Sequence, residues 1–269
     1  GKVVLLTGIG AVREGYGNGT AMAAIMARQG AIVFGCDINL EAANKAANNI
    51  NNEEETRSHP ARSNGKLPDV TKKSACEAFV NACMEKYGRI DVLVNNVGKS
   101  EPGGPAELSE EAWDGQTDIN LKTVYLMCHL VLPIMEKQAT GGAVVNVSSV
   151  AGLRYIGKPQ VGYAATKAAV IHFTKTTAVI YAQRTGGKVR LNTVVPGLIN
   201  SPLVGVLTHK YADGDEEGYR KIRDKQSPTG KMGTVWDVAH AALYLCSDEA
   251  GYVTGQELVV DGAITDSTG

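Results

Sequence analysis

Tyr163 and Lys167 stand four residues apart in a stretch with helical spacing, so the two side chains share one face. No other tyrosine in the chain is followed by lysine at that distance. A phenol titrates near pH ~10, which suits it poorly to proton transfer at neutral pH. A neighbouring cation favours its deprotonated form. The pair therefore points to general acid/base chemistry at oxygen: a proton taken from an alcohol, or given to a carbonyl. Ser148-Ser149 close a short apolar run, and a hydroxyl there can hydrogen-bond an oxygen on which charge develops. Taken singly these features are ordinary. Tyr and Lys four apart are usually a solvated helix pair, and two serines after a strand are usually turn chemistry.

A second chemistry is written near the start. Thr7-Gly8-Ile9-Gly10-Ala11-Val12-Arg13-Glu14-Gly15-Tyr16-Gly17-Asn18-Gly19 follows one apolar run and precedes a helical pattern. Glycines let backbone N–H groups approach a phosphate, and the helix N-terminus adds partial positive charge. Asp37 ends the next apolar run, where a carboxylate accepts hydrogen bonds from an adenosine ribose. A carboxylate at that place repels a 2′-phosphate, and Ile38-Asn39 supplies no adjacent cation, which favours NAD over NADP. Arg13, in the loop itself, is a cation that can reach such a phosphate.

The elements that must position these residues alternate. Strands are expected at 2–6, 31–36, 90–94, 143–147, 189–195 and 257–260. Helices are expected at 18–29, 40–52, 109–136, 161–184 and 235–246. Nearly all-apolar strands between helices imply βαβ units and a parallel sheet covered on both faces. The expected fold class is therefore α/β: a single-domain, Rossmann-like, doubly wound parallel sheet over residues 1–269, with no linker dividing it. Two stretches resist the pattern. Residues 52–68 are polar, with Pro60, Gly65 and Pro68, so a third strand there should be short and irregular. Residues 198–230 form a long insertion, and such loops are usually functional. Within it, 213–225 mixes both charge signs and reads as a solvated face.

Composition excludes several classes. The chain has 269 residues, 43% of them hydrophobic, and a formal net charge of −1, which disfavours a phosphate-neutralising nucleic-acid binder. No apolar run approaches the roughly 20 residues of a membrane span, and no signal-peptide pattern opens the sequence. Five widely spaced cysteines without CxxC suit reduced thiols and a cytoplasmic protein, with Cys76 and Cys83 facing the core. The five histidines lack ligand spacing, so no metal site is expected. Glycine is abundant at 31 residues. Gly8, Gly17, Gly19, Gly98 and Gly197 fall at expected strand ends, where the approach of a cofactor would explain the missing side chain.

Further motifs converge on one family. The Thr-Gly turn ending Gly17-Asn18-Gly19, Asp69-Val70, Asn95-Asn96-Val97-Gly98, Asn120, Ser148-Ser149, Tyr163-Ala164-Ala165-Thr166-Lys167, Pro196-Gly197 and Val259-Val260-Asp261-Gly262 occur in order along nearly the whole chain. The sequence resembles the short-chain dehydrogenases/reductases. The first glycine motif departs from the family's Thr-Gly-x-x-x-Gly-x-Gly by its extra length, and Asn-Asn-Val-Gly replaces Asn-Asn-Ala-Gly.

The resemblance implies a catalytic set of Ser149, Tyr163, Lys167 and Asn120. Ser149 is favoured over Ser148 as the hydroxyl facing substrate, and Asn120 resembles the Asn that holds a water linking the lysine to solvent. It further implies cofactor contacts from Gly8, Gly17, Asn18, Gly19, Asp37, Asp69, Val70, Asn95, Asn96, Gly98, Tyr163, Lys167, Pro196, Gly197, Ile199 and Ser201. Asp69 and Val70 would sit at adenine, Lys167 at the nicotinamide ribose, and Ile199 and Ser201 at the carboxamide. Hydride transfer between NAD(H) and a small secondary alcohol or ketone is the expected function, in a homotetramer built on the long helices. Specificity is expected around Arg154, Tyr155, Gln160 and the 198–230 insertion, whose apolar 202–207 segment suits a lid. Arg154 and Lys99 are expected at the surface. A cofactor-retaining epimerase or dehydratase, or a silent nucleotide-binding protein, are the alternatives. A silent relative would be free to lose one of the four catalytic residues.

Overall fold

A computed structural model describes residues 1–53, 62–63 and 69–267 of the chain. Seven parallel strands form the central sheet: β1 (Val3–Thr7), β2 (Ile32–Cys36), β3 (Arg62–Ser63), β4 (Val92–Asn95), β5 (Gly142–Val147), β6 (Val189–Pro196) and, after a separate pair of short strands, β9 (Glu257–Val260). Their spatial order is β3-β2-β1-β4-β5-β6-β9. The order reverses between β1 and β4, which opens a crevice at the C-terminal ends of those strands. The doubly wound α/β expectation holds. β3 lies in the stretch expected to hold a third strand, with Phe34 pairing Arg62 and Gly35 pairing Ser63. Pro60, Gly65 and Pro68 lie outside the described residues.

Alternation along each strand divides the core in two. Val4 and Leu6 of β1 pack with α1 (Asn18–Arg28), α2 (Leu40–Asn51) and α9 (Val235–Cys246). Val3 and Leu5 pack on the opposite face with α3 (Lys73–Tyr87), α5 (Thr123–Lys137) and α6 (Val161–Thr185). Each sheet face is thus covered, which is why the strands read as continuous apolar runs. Cys76 and Cys83 are fully buried in the second layer, as expected.

Between the layers runs one polar chain. Asn95 at the end of β4 donates to Asn146 of β5 (2.9 Å), and Asn146 donates to Thr174 of α6 (2.8 Å). The Thr174 hydroxyl in turn donates to the Val170 carbonyl. This chain fixes α6 against the sheet.

Two stretches differ from the sequence pattern. The single helix expected at 109–136 is three pieces: α4 (Glu110–Thr117), a π-turn (Asp118–Lys122) and α5. Ser109 caps its start by accepting from Ala112, and Pro133 lies in the last turns of α5. The 198–230 insertion is ordered by secondary structure of its own. β7 (Ile199–Asn200) pairs with β8 (Gly233–Thr234), and α7 (Leu203–Tyr211) and α8 (Glu216–Gln226) lie between them. Asp215 caps α8. The mixed charges of 213–225 were read as a solvated face. That holds for one side of α8 only, because Tyr219 and Arg223 are buried. Charge alternation hides the two residues that anchor the helix.

Truncating Asn146 tests the polar chain. Asn146→Ala leaves both Asn95 and Thr174 without their partner, and it is expected to lower unfolding free energy by ~2–3 kcal/mol in urea titration.

Candidate active site

The reacting corner is assembled on the end of β5. Ser149 follows the strand in extended backbone, and its hydroxyl accepts from Ala151 at the start of a 3-10 turn (Val150–Gly152). That turn presses on α6. A Cβ on Gly152 would lie 2.7 Å from the Lys167 carbonyl carbon and from the Ala168 nitrogen. Gly152 is a positioning residue that the sequence motifs did not single out.

Lys167 is 2% exposed. Its ammonium donates to the Val147 carbonyl at the end of β5 (2.9 Å), while its own carbonyl accepts from Ser148 Oγ (2.7 Å). Ser148 is thus a staple between strand and helix, which leaves Ser149 as the serine facing outward. Burial pushes the Lys167 amine down to about 8, because the charged form loses its hydration. The same amine lies 5.7 Å from the centroid of the half-buried Tyr163 ring. The sequence pairing of Tyr163 with Lys167 is realised in space.

Asn120 sits in the π-turn, fully buried. Its side chain accepts from the Lys99 N–H (2.8 Å) and donates to the Lys99 carbonyl (3.0 Å), clamping the strand that leaves β4. Gly98 lies between these groups: a Cβ there would stand 3.0 Å from Lys167 Nζ and 3.2 Å from Asn120 Oδ1. Lys99 belongs to this site through its backbone, while its side chain pairs with Glu101 at 2.8 Å.

The glycine-rich turn forms the other wall. Gly8 and Ile9 donate to the Cys36 carbonyl (2.7 and 3.0 Å), Thr20 bonds the Ile9 carbonyl, and Asn96 donates to the Gly8 carbonyl. Asp37 accepts from Gly10 and from Asn39, both at 3.0 Å. Gly19 is required by the fold, since a Cβ would fall 1.9 Å from the Gly8 oxygen. Gly197 is required by Asp261, whose Cα would be 2.6 Å away. These are protein contacts, where the sequence suggested the approach of a cofactor. Gly17 is different: its φ is −80° and the nearest neighbour of a Cβ would be 3.7 Å away.

Whether a dinucleotide suits this turn can be tested on the same residues. The N-terminus of α1 carries no side-chain cap and no acidic residue in its first turn. Asn18 Oδ1 beside it is buried without a partner. An open Gly17, uncapped N–H groups and an orphaned amide are what a phosphate-bearing ligand would complete. The residues fit the group.

Other expected contacts are placed unevenly. The Asn95 amide nitrogen serves the sheet, while its Oδ1 is buried without a partner. Val70 is buried in the core, with its carbonyl accepting from Cys76. Asp69 accepts from the hydroxyl and N–H of Thr71, which hold its carboxyl below the usual range. Pro196 closes β6, Ile199 lies in β7, and the Ser201 hydroxyl accepts from Leu203 at the start of α7. Arg154 is exposed, as expected, and its Nη1 donates to the carbonyls of Ile264 and Ser267, both at 2.8 Å, and to Thr265. It fastens the C-terminal turn to the segment after Ser149, and no local motif could announce a contact 110 residues away.

The same segment is anchored to α8. Lys158 donates to the Tyr219 hydroxyl, and the Lys158 and Arg223 cations lie 5.0 and 4.9 Å from the Tyr219 ring centroid. Burial, with the charge of Arg223 beside it, pushes the Lys158 amine down to about 7. Neither Lys158 nor Tyr219 belongs to a sequence motif. Among the described residues no group of His, Cys, Asp and Glu could hold a metal ion, and no helix is long and apolar enough to cross a membrane.

Lys167 also gives a pH prediction. Its folded value of about 8 lies below the ordinary 10.5, so the unfolded chain binds more protons between those limits. Stability from this group is therefore complete above pH ~10.5 and is lost as pH falls through ~8. Relative to Lys167→Met, the wild-type protein should gain up to ~3 kcal/mol of unfolding free energy between those pH values, read by denaturant melts.

Comparison with known proteins agrees with this geometry. Residues 10–265 match a family model described as enoyl-(acyl carrier protein) reductase. The chain is 36% identical to a 3-oxoacyl-(acyl-carrier-protein) reductase of Thermotoga maritima, covering 98% of each. It is 35% identical to a cyclohexanol dehydrogenase of an Acinetobacter species, covering 98% of this chain and 95% of the relative. A solved structure described as a short-chain dehydrogenase/reductase from Burkholderia xenovorans superposes with a TM-score of 0.91 at 42% identity, over 100% of this chain and 98% of the other. The chain belongs to the short-chain dehydrogenases/reductases.

Proposed function

We propose that the protein interconverts a secondary alcohol and its ketone, with Tyr163 as the general acid/base and NAD(H) as the redox partner. The observation that carries this reading is the Tyr163 ring 5.7 Å from the buried Lys167 amine, beside Ser149 at the end of β5. Bound at the crevice, the nicotinamide would accept hydride from the alcohol carbon or return it to the ketone. The protein's own residues handle the proton. Lys167, charged below pH ~8, places a cation beside the phenol and so favours the form that accepts a proton from the substrate hydroxyl. Ser149 donates to the substrate oxygen and steadies charge there. Asn120 fixes the Lys99 backbone beside the amine.

For the cofactor, Gly17, Asn18 and the α1 N-terminus would receive the pyrophosphate. Gly8, Gly19, Asn96 and Gly98 shape the wall, and Asp69, Val70, Asn95, Pro196, Gly197, Ile199 and Ser201 line its further contacts. Asp37 would accept from the ribose hydroxyls. Its carboxylate repels a 2′-phosphate, which supports NAD over NADP. The relatives named for a cyclohexanol and for a 3-oxoacyl thioester both act at an oxygen-bearing carbon within a chain or ring, which suits a secondary alcohol. Residues 198–230 form the substrate flap of one domain, with the apolar start of α7 facing substrate. Five buried free thiols fit a reducing, cytoplasmic setting. The homotetramer is proposed on α4, α5 and α6, where Trp113, Tyr125, Val179 and Ile180 are exposed.

Tyr163→Phe keeps the ring and removes the proton carrier. It is expected to lower kcat by ~10²–10⁴-fold with little change in NAD⁺ affinity, measured by nicotinamide absorbance and by titration. Near-normal turnover on a panel of cyclic and acyclic alcohols would refute the role. In the same assay, Asp37→Ser should narrow any preference for NAD⁺ over NADP⁺ by about tenfold or more, since it removes one full charge from the 2′-phosphate position.

A further inference from the structure

The extra residues of the glycine-rich turn have a destination. They lean toward the flap, where a Cβ on Gly15 would sit 3.4 Å from Pro202. Arg13 reaches further and lays its guanidinium on α7 at Gly205. A Cβ on Gly205 would fall 2.0 Å from Arg13 Nη1 and 2.6 Å from Cζ. A glycine inside a helix is disfavoured by ~1 kcal/mol relative to alanine, and Gly205 does not have a positive φ that would require it. Its missing side chain is the seat of Arg13.

The contact continues into α8. Arg13 Nη1 stands 3.8 Å from Glu216 Oε2. Glu216 Oε1 accepts from Arg220 Nη2 at 2.8 Å, and Arg220 also donates to Asn200 of β7. On its other side the turn is tied to α2, where Glu14 pairs with Lys45 at 3.1 Å. One short loop is thereby fastened to the helix behind the dinucleotide wall and to both helices of the flap.

We propose that Arg13 is a positioning residue that straps the dinucleotide loop to the substrate flap, so that ordering either one orders the other. The identity of the two ligands rests on the function proposed above; the strap itself does not. A ligand that fixes the loop fixes the Arg13 seat, and by reciprocity a substrate that closes the flap tightens the loop. Arg13 then acts on substrate binding without touching substrate.

Amide hydrogen exchange on the full chain tests this, with and without saturating NAD⁺. In the ligand-free protein, Arg13→Ala is expected to raise exchange in residues 203–217 by about fivefold, the scale of a partly exposed ion pair with its packing. Gly205→Ala unseats Arg13 from the other side and is expected to raise exchange in residues 10–17, which helix propensity in α7 does not affect. Arg13→Lys restores part of the protection through its charge. With NAD⁺ the wild type gains protection in 203–217 and Arg13→Ala does not, while its substrate KM rises more than kcat falls. Unchanged exchange in both segments for both variants overturns the strap. Weakened NAD⁺ binding in Arg13→Ala with normal exchange also overturns it, making Arg13 a phosphate contact only. A wild type that binds no dinucleotide sinks the proposed function, and the ligand-free comparison still decides the strap.

Discussion

A primary amine taken out of water must be held by partners it cannot exchange, and Lys167 imposes that demand on three elements at once. Its ammonium needs the Val147 carbonyl, so α6 must cross β5 at one height. Its neighbour Ser148 then reaches the Lys167 carbonyl and locks the crossing. A side chain on Gly98 would crowd the amine, since its Cβ would stand 3.0 Å from Nζ. Once the lysine is seated, Tyr163 one turn earlier on α6 and Ser149 at the end of β5 have little freedom left. The polar chain from Asn95 through Asn146 to Thr174 repeats the arrangement two turns further along the helix. Burial raises the energy of the charged amine, and the surrounding structure is arranged to hold it there.

The glycines divide by what excludes their side chains. Gly19, Gly98, Gly152 and Gly197 are each excluded by protein atoms, so their absence of a Cβ is a packing fact. Gly17 has neither a crowded neighbour nor a left-handed backbone, and it borders the uncapped start of α1 and the unpartnered Asn18 oxygen.

Much of this was legible in the residues themselves. Apolar runs ending in Thr7, Asn95 and Ser148 marked three adjacent strand ends, because covered parallel strands leave an unmistakable pattern. The Tyr163–Lys167 spacing carried the reacting pair, since four residues on a helix fix a shared face. Long-range contacts left no such mark. Arg154 meets backbone carbonyls far along the chain, and carbonyls have no sequence signature. Lys158 and Arg223 look like surface charges until Tyr219 is placed between them. The flap helices leave a weak signal because 203–211 is short and 216–226 is mostly charged.

The π-turn at Asp118–Lys122 divides what would otherwise be one rod. One residue more per turn rotates everything after it by about 100° relative to an unbroken helix. The phase of α5 is therefore offset from that of α4. Losing a single residue there would leave the composition of the helix almost untouched while turning the amide clamp away from Lys99. Helical phase, a property carried by no individual side chain, is thus one of the things that this site inherits.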